Sequence, residues 1–395
     1  MNTDTHEKMI FLIALLAAFP ALSTDMYLPA LPLLQKNWNQ PLVMVNMTLV
    51  VFFVAYCVSL LAYGPISDRF GRRLPLMVGI GIYITASLMC AGSTGVEMMI
   101  GFRALQAVGA ASASALSMAI CKDLFDARRR ERVIAYIAVI MALAPMMAPV
   151  IGGWIMTFFS WPWIFAVQAV LGGIAFVGVW RMAEPLKIFN AGNTRIIEGY
   201  VRLFRNHRFI SLNLAMAIMA LPLFAFIASS SNIYISGFKL SEQAFGYFFA
   251  FNAVALMGGA LSFARLSHHV ASERLITFGF IGILAAGIWL TAGSREGPWC
   301  LALPMGAMAF FYGLSRPPGN NLILEQIDRD SGTASSLIVF SFMMLGALAM
   351  WIISLNWSDK ITAIGVMSLI SGGATLSFWL IFKRIFVSGR RNPNT

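Results

Sequence analysis

The sequence predicts an all-α membrane protein: twelve transmembrane helices arranged as two six-helix halves around a central cavity. Three observations predict it. Hydrophobic residues make up 59% of the 395-residue chain and charged residues only 11%, where a soluble domain carries about 25%. The mean hydropathy is correspondingly high, +0.76. Twelve windows are long enough to cross a hydrocarbon core, which takes roughly 20 mostly apolar residues. The basic residues collect in every second gap between those windows.

In chain order, the first half holds windows near 9–31, 46–66, 74–92, 97–119, 133–156 and 161–181. The second holds windows near 209–235, 243–264, 274–293, 299–320, 334–356 and 361–383. The first window is too long for a secretory signal core and lacks a cleavage-site pattern, so it reads as a span. With the N-terminus inside, the outer gaps hold only Lys36, Lys239, Arg295 and Lys360, and Arg103 falls within a span. The rest of the 28 Lys and Arg, Arg316 among them, fall in cytoplasmic segments. That bias predicts an even number of spans with both termini cytoplasmic. The longest gap, 182–208, is polar and basic and separates the half 1–181 from the half 209–383, with a cytoplasmic tail over 384–395. Two six-helix halves on such a linker form a transporter layout with its site near midplane between them.

Several function classes are excluded. The net charge of +11 does not mark a nucleic-acid binder, because the basic residues sit in short gaps between apolar runs. Cys57, Cys90, Cys121 and Cys300 lie in or near spans without CxxC spacing and read as free apolar fillers. A nucleotide-driven pump would need G-x-x-x-x-G-K-[ST], which is missing from the sequence. His6, His207, His268 and His269 fall in gaps or termini, with no H-E-x-x-H. The expectation is therefore no catalytic residue, no metal site, no cofactor and no enzyme.

The second gap reads Gly64-Pro-Ile-Ser-Asp-Arg-Phe-Gly-Arg-Arg73. At Gly64, Asp68, Arg69, Gly71, Arg72 and Arg73 it resembles the signature loop of the major facilitator superfamily between spans two and three. An ordinary positive-inside turn needs Arg, but not this order behind Gly-Pro. The resemblance implies a breakable latch on the cytoplasmic side, with Asp68 facing the start of span eleven at Ser331-Gly-Thr-Ala334, where the helix dipole favours an anion. The corresponding stretch Arg265–Arg274 lacks the pattern, so the latch is expected on one side only. Arg103-Ala-Leu-Gln-Ala-Val-Gly-Ala110 resembles the family's R-x-x-Q-G motif, with Ala107 where Gly is usual. Ala144–Trp154, with Pro145, Pro149, Gly152 and Gly153, resembles the antiporter motif of drug exporters, and small-residue packing explains the same residues. With Asp25-Met-Tyr-Leu-Pro-Ala-Leu-Pro32, these stretches look like the bicyclomycin/chloramphenicol-resistance group of drug:proton antiporters of the bacterial inner membrane. The resemblance implies a small-molecule drug and protons as partners in a lipid bilayer, no nucleic acid, and a monomer. A proton-coupled transporter of a nucleoside or sugar-like metabolite remains the alternative.

Asp25 is the one acidic residue deep within a span, and Arg103 the one deep base. At about 1.5 Å rise per residue, Asp25 lies about 24 Å and Arg103 about 21 Å above the inner edge of a core roughly 30 Å thick. A lone charge at such depth costs at least ~2.5–3.5 kcal/mol, so the two are expected to face each other directly or through water. If their separation changes between outward and inward states, the proton affinity of the carboxyl changes with it. A static ion pair locking spans one and four is the other reading. Gln106, one turn from Arg103, and Asn232, Asn252 and Tyr312 are the candidate substrate contacts, although interhelical hydrogen bonding explains buried Asn equally well.

Overall fold

The computed structural model describes residues 3–185, 196–327 and 331–384. Of the expected linker, 186–195 lie outside the described residues, as does the tail beyond 384. The described chain is helical without strands. Span one is α1 (Thr3–Asp25), a 3-10 turn (Leu28–Ala30) and α2 (Leu31–Asn37). There follow α3 (Leu42–Phe70), α4 (Arg73–Ala91), α5 (Val96–Leu124), α6 (Ala127–Phe158) and α7 (Pro162–Arg181). After α8 (Ile196–Arg205), span seven comprises α9 (His207–Ala217), α10 (Ala220–Ser231) and a π-helical stretch (Asn232–Gly237). The chain continues with α11 (Glu242–Leu266), α12 (Ser272–Ala292), α13 (Trp299–Leu324), α14 (Ser331–Ile353) and α15 (Lys360–Phe382).

Helix ends follow local chemistry. Pro162 opens α7, where a missing N–H costs nothing. The Asp359 carboxylate accepts from Ile361 N at 2.9 Å at the start of α15. Gly71 ends α3 at φ 87°, a conformation that favours glycine. Large apolar side chains such as Val170, Ile174 and Val177 on α7 face outward, as lipid contact requires.

Eleven helical segments among the described residues are long and apolar enough to cross a membrane. The remaining one, α13, is 26 residues long, about 39 Å at the helical rise, and serves as the twelfth span. Its composition sets it apart: it carries Arg316, Asn320, Asn321 and three prolines. The positive-inside reading assigned Arg316 to a cytoplasmic gap, whereas the helix runs eight residues beyond it and Arg316 lies within α13.

The chain divides into two compact units, Met1–Ile196 with Ser230–Ala250, and Ile197–Ser229 with Phe251–Thr395. The division passes through α10 and α11, so residues 230–250 group with the first unit. Within the first unit α5 packs against α1, α3 and α4, while α7 packs on α4 and α6 on α1. Within the second, α12 packs against α13 and α15, and α14 against α9.

Candidate functional site

The site is built around the interruption of span one. Ser23 and Thr24 donate their hydroxyls back to Phe19 O (2.6 Å) and Pro20 O (2.9 Å), a pattern that bends helices. Pro29 then has no N–H to offer the Asp25 carbonyl, so α1 stops at Asp25 and the chain turns through Tyr27 N to Thr24 O at 3.2 Å. Asp25 sits at this break with 7% of its surface exposed. The Thr24 hydroxyl reaches its Oδ1 at 2.9 Å, and that one hydroxyl proton serves either the carboxylate or the Pro20 carbonyl.

The backbone at the break is gripped from two sides. A Cβ at Gly152 of α6 would overlap the Met26 carbonyl oxygen, so the antiporter-like segment lies backbone to backbone on the residue after Asp25. On the same helix, a Cβ at Gly153 would stand 2.5 Å from the Glu242 carbonyl oxygen at the start of α11, and Pro149 O lies against Gly246. Pro145 and Pro149 are both interior to α6. The small residues are thus close-approach positions, as tight helix packing requires.

Arg103 is fully buried, and no ion pair joins it to Asp25 among the described residues. Its Nη1 donates to the Ser23 carbonyl at 2.9 Å and to Gln106 Oε1 at 2.5 Å. The guanidinium carbon lies 4.2 Å from the Phe52 ring centroid, 5.2 Å from Tyr27 and 6.0 Å from Phe165, while Nε and Nη2 have no hydrogen-bond partner. The counter-charge of Arg103 is therefore the carbonyl end of α1, whose dipole favours a cation, together with aromatic faces. The direct pair expected from matched depth is replaced by this arrangement because α1 ends there and frees its last carbonyls.

Three further polar side chains complete the cluster. Gln106 Nε2 donates to Ser87 Oγ and Gln168 Oε1, both at 2.8 Å. Gln168 Nε2 donates to Leu22 O at 3.1 Å and Ser23 O at 3.4 Å. Ser23 Oγ gives its proton to Phe19 O, so the Tyr83 hydroxyl, 2.9 Å away, donates to Ser23. Gln106 thus has both amide protons engaged and acts on Arg103 rather than on open space. Gln168, Ser87 and Tyr83 were not singled out from the sequence, since neutral polar residues in spans carry no depth signal of their own. Of the other candidates, Asn232 begins the π-helical stretch of the first unit, and Asn252 and Tyr312 belong to the second.

The signature segment lies mostly on helix. Gly64, Asp68 and Arg69 belong to α3, and Arg69 stacks on Phe70 at 5.3 Å. Arg72 pairs with Asp68 at 2.6 Å and with Asp123 of α5 at 2.8 Å, and also donates to Ser67 Oγ at 2.6 Å. Burial works against the Arg72 charge, but the bonds to Asp123 and Asp68 outweigh it and its pKa is raised. The Glu184 carboxylate accepts from Arg72 N (2.7 Å) and Arg73 N (3.0 Å), an anion at the start of α4, and Arg73 donates to Trp180 O. Asp123 and Glu184 belong to no motif of the sequence and were not singled out from it. Among the described residues no group of three or more His, Cys, Asp or Glu could hold a metal ion, and the four cysteines are free.

Fold and site together define a polytopic α-helical membrane transporter with buried charges in its first unit. A family model described as Major Facilitator Superfamily matches residues 13–350, and the chain belongs to that family. It is 28% identical over 382 residues to the multidrug transporter MdfA of Yersinia pestis, covering 94% of this chain and 91% of that one. It is 28% identical over 348 residues to a bicyclomycin resistance protein homolog of Haemophilus influenzae, covering 86% and 87%. Among solved structures, a D-xylose-proton symporter is similar in fold, with TM-score 0.78 at 13% identity over 96% of this chain and 97% of that one.

Proposed function

We propose that the protein is a proton-coupled exporter of small neutral or zwitterionic drugs of the chloramphenicol or bicyclomycin kind, working by alternating access as a monomer. Its place is the bacterial inner membrane, with both termini cytoplasmic, and the coupling ion is the proton. The observation that carries the reading is Asp25: a buried carboxyl at an interrupted span, held by one neutral hydroxyl and, among the described residues, without an ion pair. Such a group can take up or lose a proton without first breaking a salt bridge. Arg103, held on the α1 carbonyls and aromatic faces, keeps the break in place while Asp25 changes charge. The segment Gly64–Arg73 gates the cytoplasmic side, with Asp68 held by Arg72. Pro145, Pro149, Gly152 and Gly153 keep α6 close enough to transmit movement of the break. The names of the multidrug and bicyclomycin relatives support drugs as the substrate class.

The test is proton release on adding chloramphenicol to the purified chain in detergent, with resistance of an exporter-deficient strain measured with and without a protonophore. Wild type is expected to release protons and to confer protonophore-sensitive resistance. Asp25→Asn should fold and insert yet release none. Unchanged release in Asp25→Asn removes the coupling role. Absence of resistance to any drug favours the metabolite alternative.

A further inference from the structure

Two adjacent hydroxyls close α1, and they differ in one respect. Ser23 is committed: Phe19 O at 2.6 Å takes its proton, and the Tyr83 hydroxyl at 2.9 Å donates to its oxygen. Thr24 is poised between two acceptors. It is 2% exposed, and its Oγ1 stands 2.9 Å from Pro20 O and 2.9 Å from Asp25 Oδ1, with Ala21 O farther off at 3.5 Å. A hydroxyl has one proton to give and can accept in return.

The charge of Asp25 decides where that proton goes. A hydrogen bond to an ionised acceptor is roughly twice as strong as one between neutral groups, so a carboxylate draws the Thr24 proton away from Pro20 O. A protonated carboxyl is itself a donor. It can give its O–H to Thr24 Oγ1, and the Thr24 proton then returns to Pro20 O. Every donor keeps an acceptor in both states, and only the direction of the chain reverses. Donation to the carbonyl four residues back bends a helix, so the direction carries a shape. The turn it acts on leads into Met26, against whose carbonyl Gly152 of α6 is packed.

The surrounding groups leave this choice to Asp25. From α5 the charged side chain at the break is Arg103, bound to Ser23 O. The stretch 133–158 of α6 has no acidic or basic residue, and α7 has none before Arg181. The remaining titratable groups there are the Tyr27 and Tyr83 phenols and the Cys90 thiol, which lie around Arg103.

We propose that Thr24 is a positioning residue that turns proton loading of Asp25 into a change in the bend of α1, by passing its own hydroxyl proton between Asp25 Oδ1 and Pro20 O. The inference rests on Asp25 exchanging a proton, as proposed above; the identity of the cargo plays no part in it.

The experiment is an infrared titration of the purified full chain in lipid films. It follows the carboxylic acid C=O band, and the part due to Asp25 is defined by its loss in Asp25→Asn. In wild type this band is expected to disappear as pH rises. Thr24→Val keeps the branched shape without the hydroxyl, so the carboxylate loses its donor and the midpoint should move upward by about one pH unit. Thr24→Ser keeps the hydroxyl and should keep the wild-type midpoint, and Thr24→Ala reports the shift if Thr24→Val unfolds. The bend is read by hydrogen exchange over residues 16–30, at a pH above both midpoints. There Asp25→Asn stands in for the protonated acid; it should change the exchange of wild type and leave that of Thr24→Val unchanged. Three results overturn the role of Thr24 while the proton reading stands. They are one midpoint shared by wild type and the variants without the hydroxyl, an equal shift in Thr24→Ser, and an Asp25→Asn effect on exchange that persists without the hydroxyl. An Asp25 band that does not titrate in wild type overturns both.

Discussion

Replacing Gly152 by Ala adds one methyl group where α6 meets the break of span one. The new Cβ would overlap Met26 O and lie 2.9 Å from Met26 C and 3.2 Å from its Cα, all backbone atoms with no rotamer to yield. Overpacking of this kind costs about 1–3 kcal/mol. Against it stands the helix preference for Ala over Gly, about 0.8–1.0 kcal/mol. Gly173 on α7 separates the two effects, because a Cβ there meets nothing within 4 Å. Gly173→Ala gains the same preference without the clash, so the difference between the variants isolates the contact at Met26. Gly152→Ala should fall about 1–3 kcal/mol below Gly173→Ala, read as a lower midpoint of thermal unfolding in detergent. Chloramphenicol efflux should drop at least tenfold in the first variant and remain at wild-type level in the second. Equal midpoints and equal efflux would refute the argument that α6 is pressed on the residue after Asp25.

Arg103→Lys keeps the charge but loses the planar guanidinium that stacks on Phe52 and sets one Nη1 against both Ser23 O and Gln106, so efflux should fall more than tenfold; wild-type efflux would show that charge alone suffices. At Asp359, burial acts to raise the carboxyl pKa, but bonds from Thr362, Arg295 and the backbone of Ile361 and Thr362 hold it below the usual carboxylate value. A depressed pKa contributes stability above the unfolded value of about 3.9 and loses it as pH falls through the folded one. The midpoint difference between wild type and Asp359→Asn should therefore be constant from pH 7 to 5 and vanish only below about pH 4; a difference that already fades between pH 7 and 5 would contradict the sign.

The spans were legible because lipid imposes a one-dimensional constraint: apolar length survives in the linear string. Asp25 and Arg103 were legible for the same reason, as charges where none should be. Their relation was not, since depth along an axis says nothing about rotation around it. The end of α1 at Asp25, which supplies Arg103 with Ser23 O, depends on Pro29 and on back-bonding by Ser23 and Thr24 acting together. Gln168 and Tyr83 were hidden because a neutral polar side chain in a span looks alike whether it faces a partner or a cavity. That α13 continues eight residues past Arg316 was not legible, although Tyr312, Arg316 and Asn320 at fourfold spacing already marked one face. Gly152 could be read as small, but the atom it makes room for could not.

The pairing of Arg103 with carbonyls rather than with Asp25 has an electrical consequence. Arg103 remains charged in either protonation state of Asp25, so loading one proton changes the net charge of the site by a full unit. On the function proposed above, exchange of one neutral drug for one proton would carry one elementary charge across the bilayer, and the membrane potential would contribute about 2.3 kcal/mol per 100 mV to each cycle. For a monoanionic cargo leaving as a proton enters, two charges move in the same electrical sense and the contribution doubles. Voltage alone would then rank the substrates.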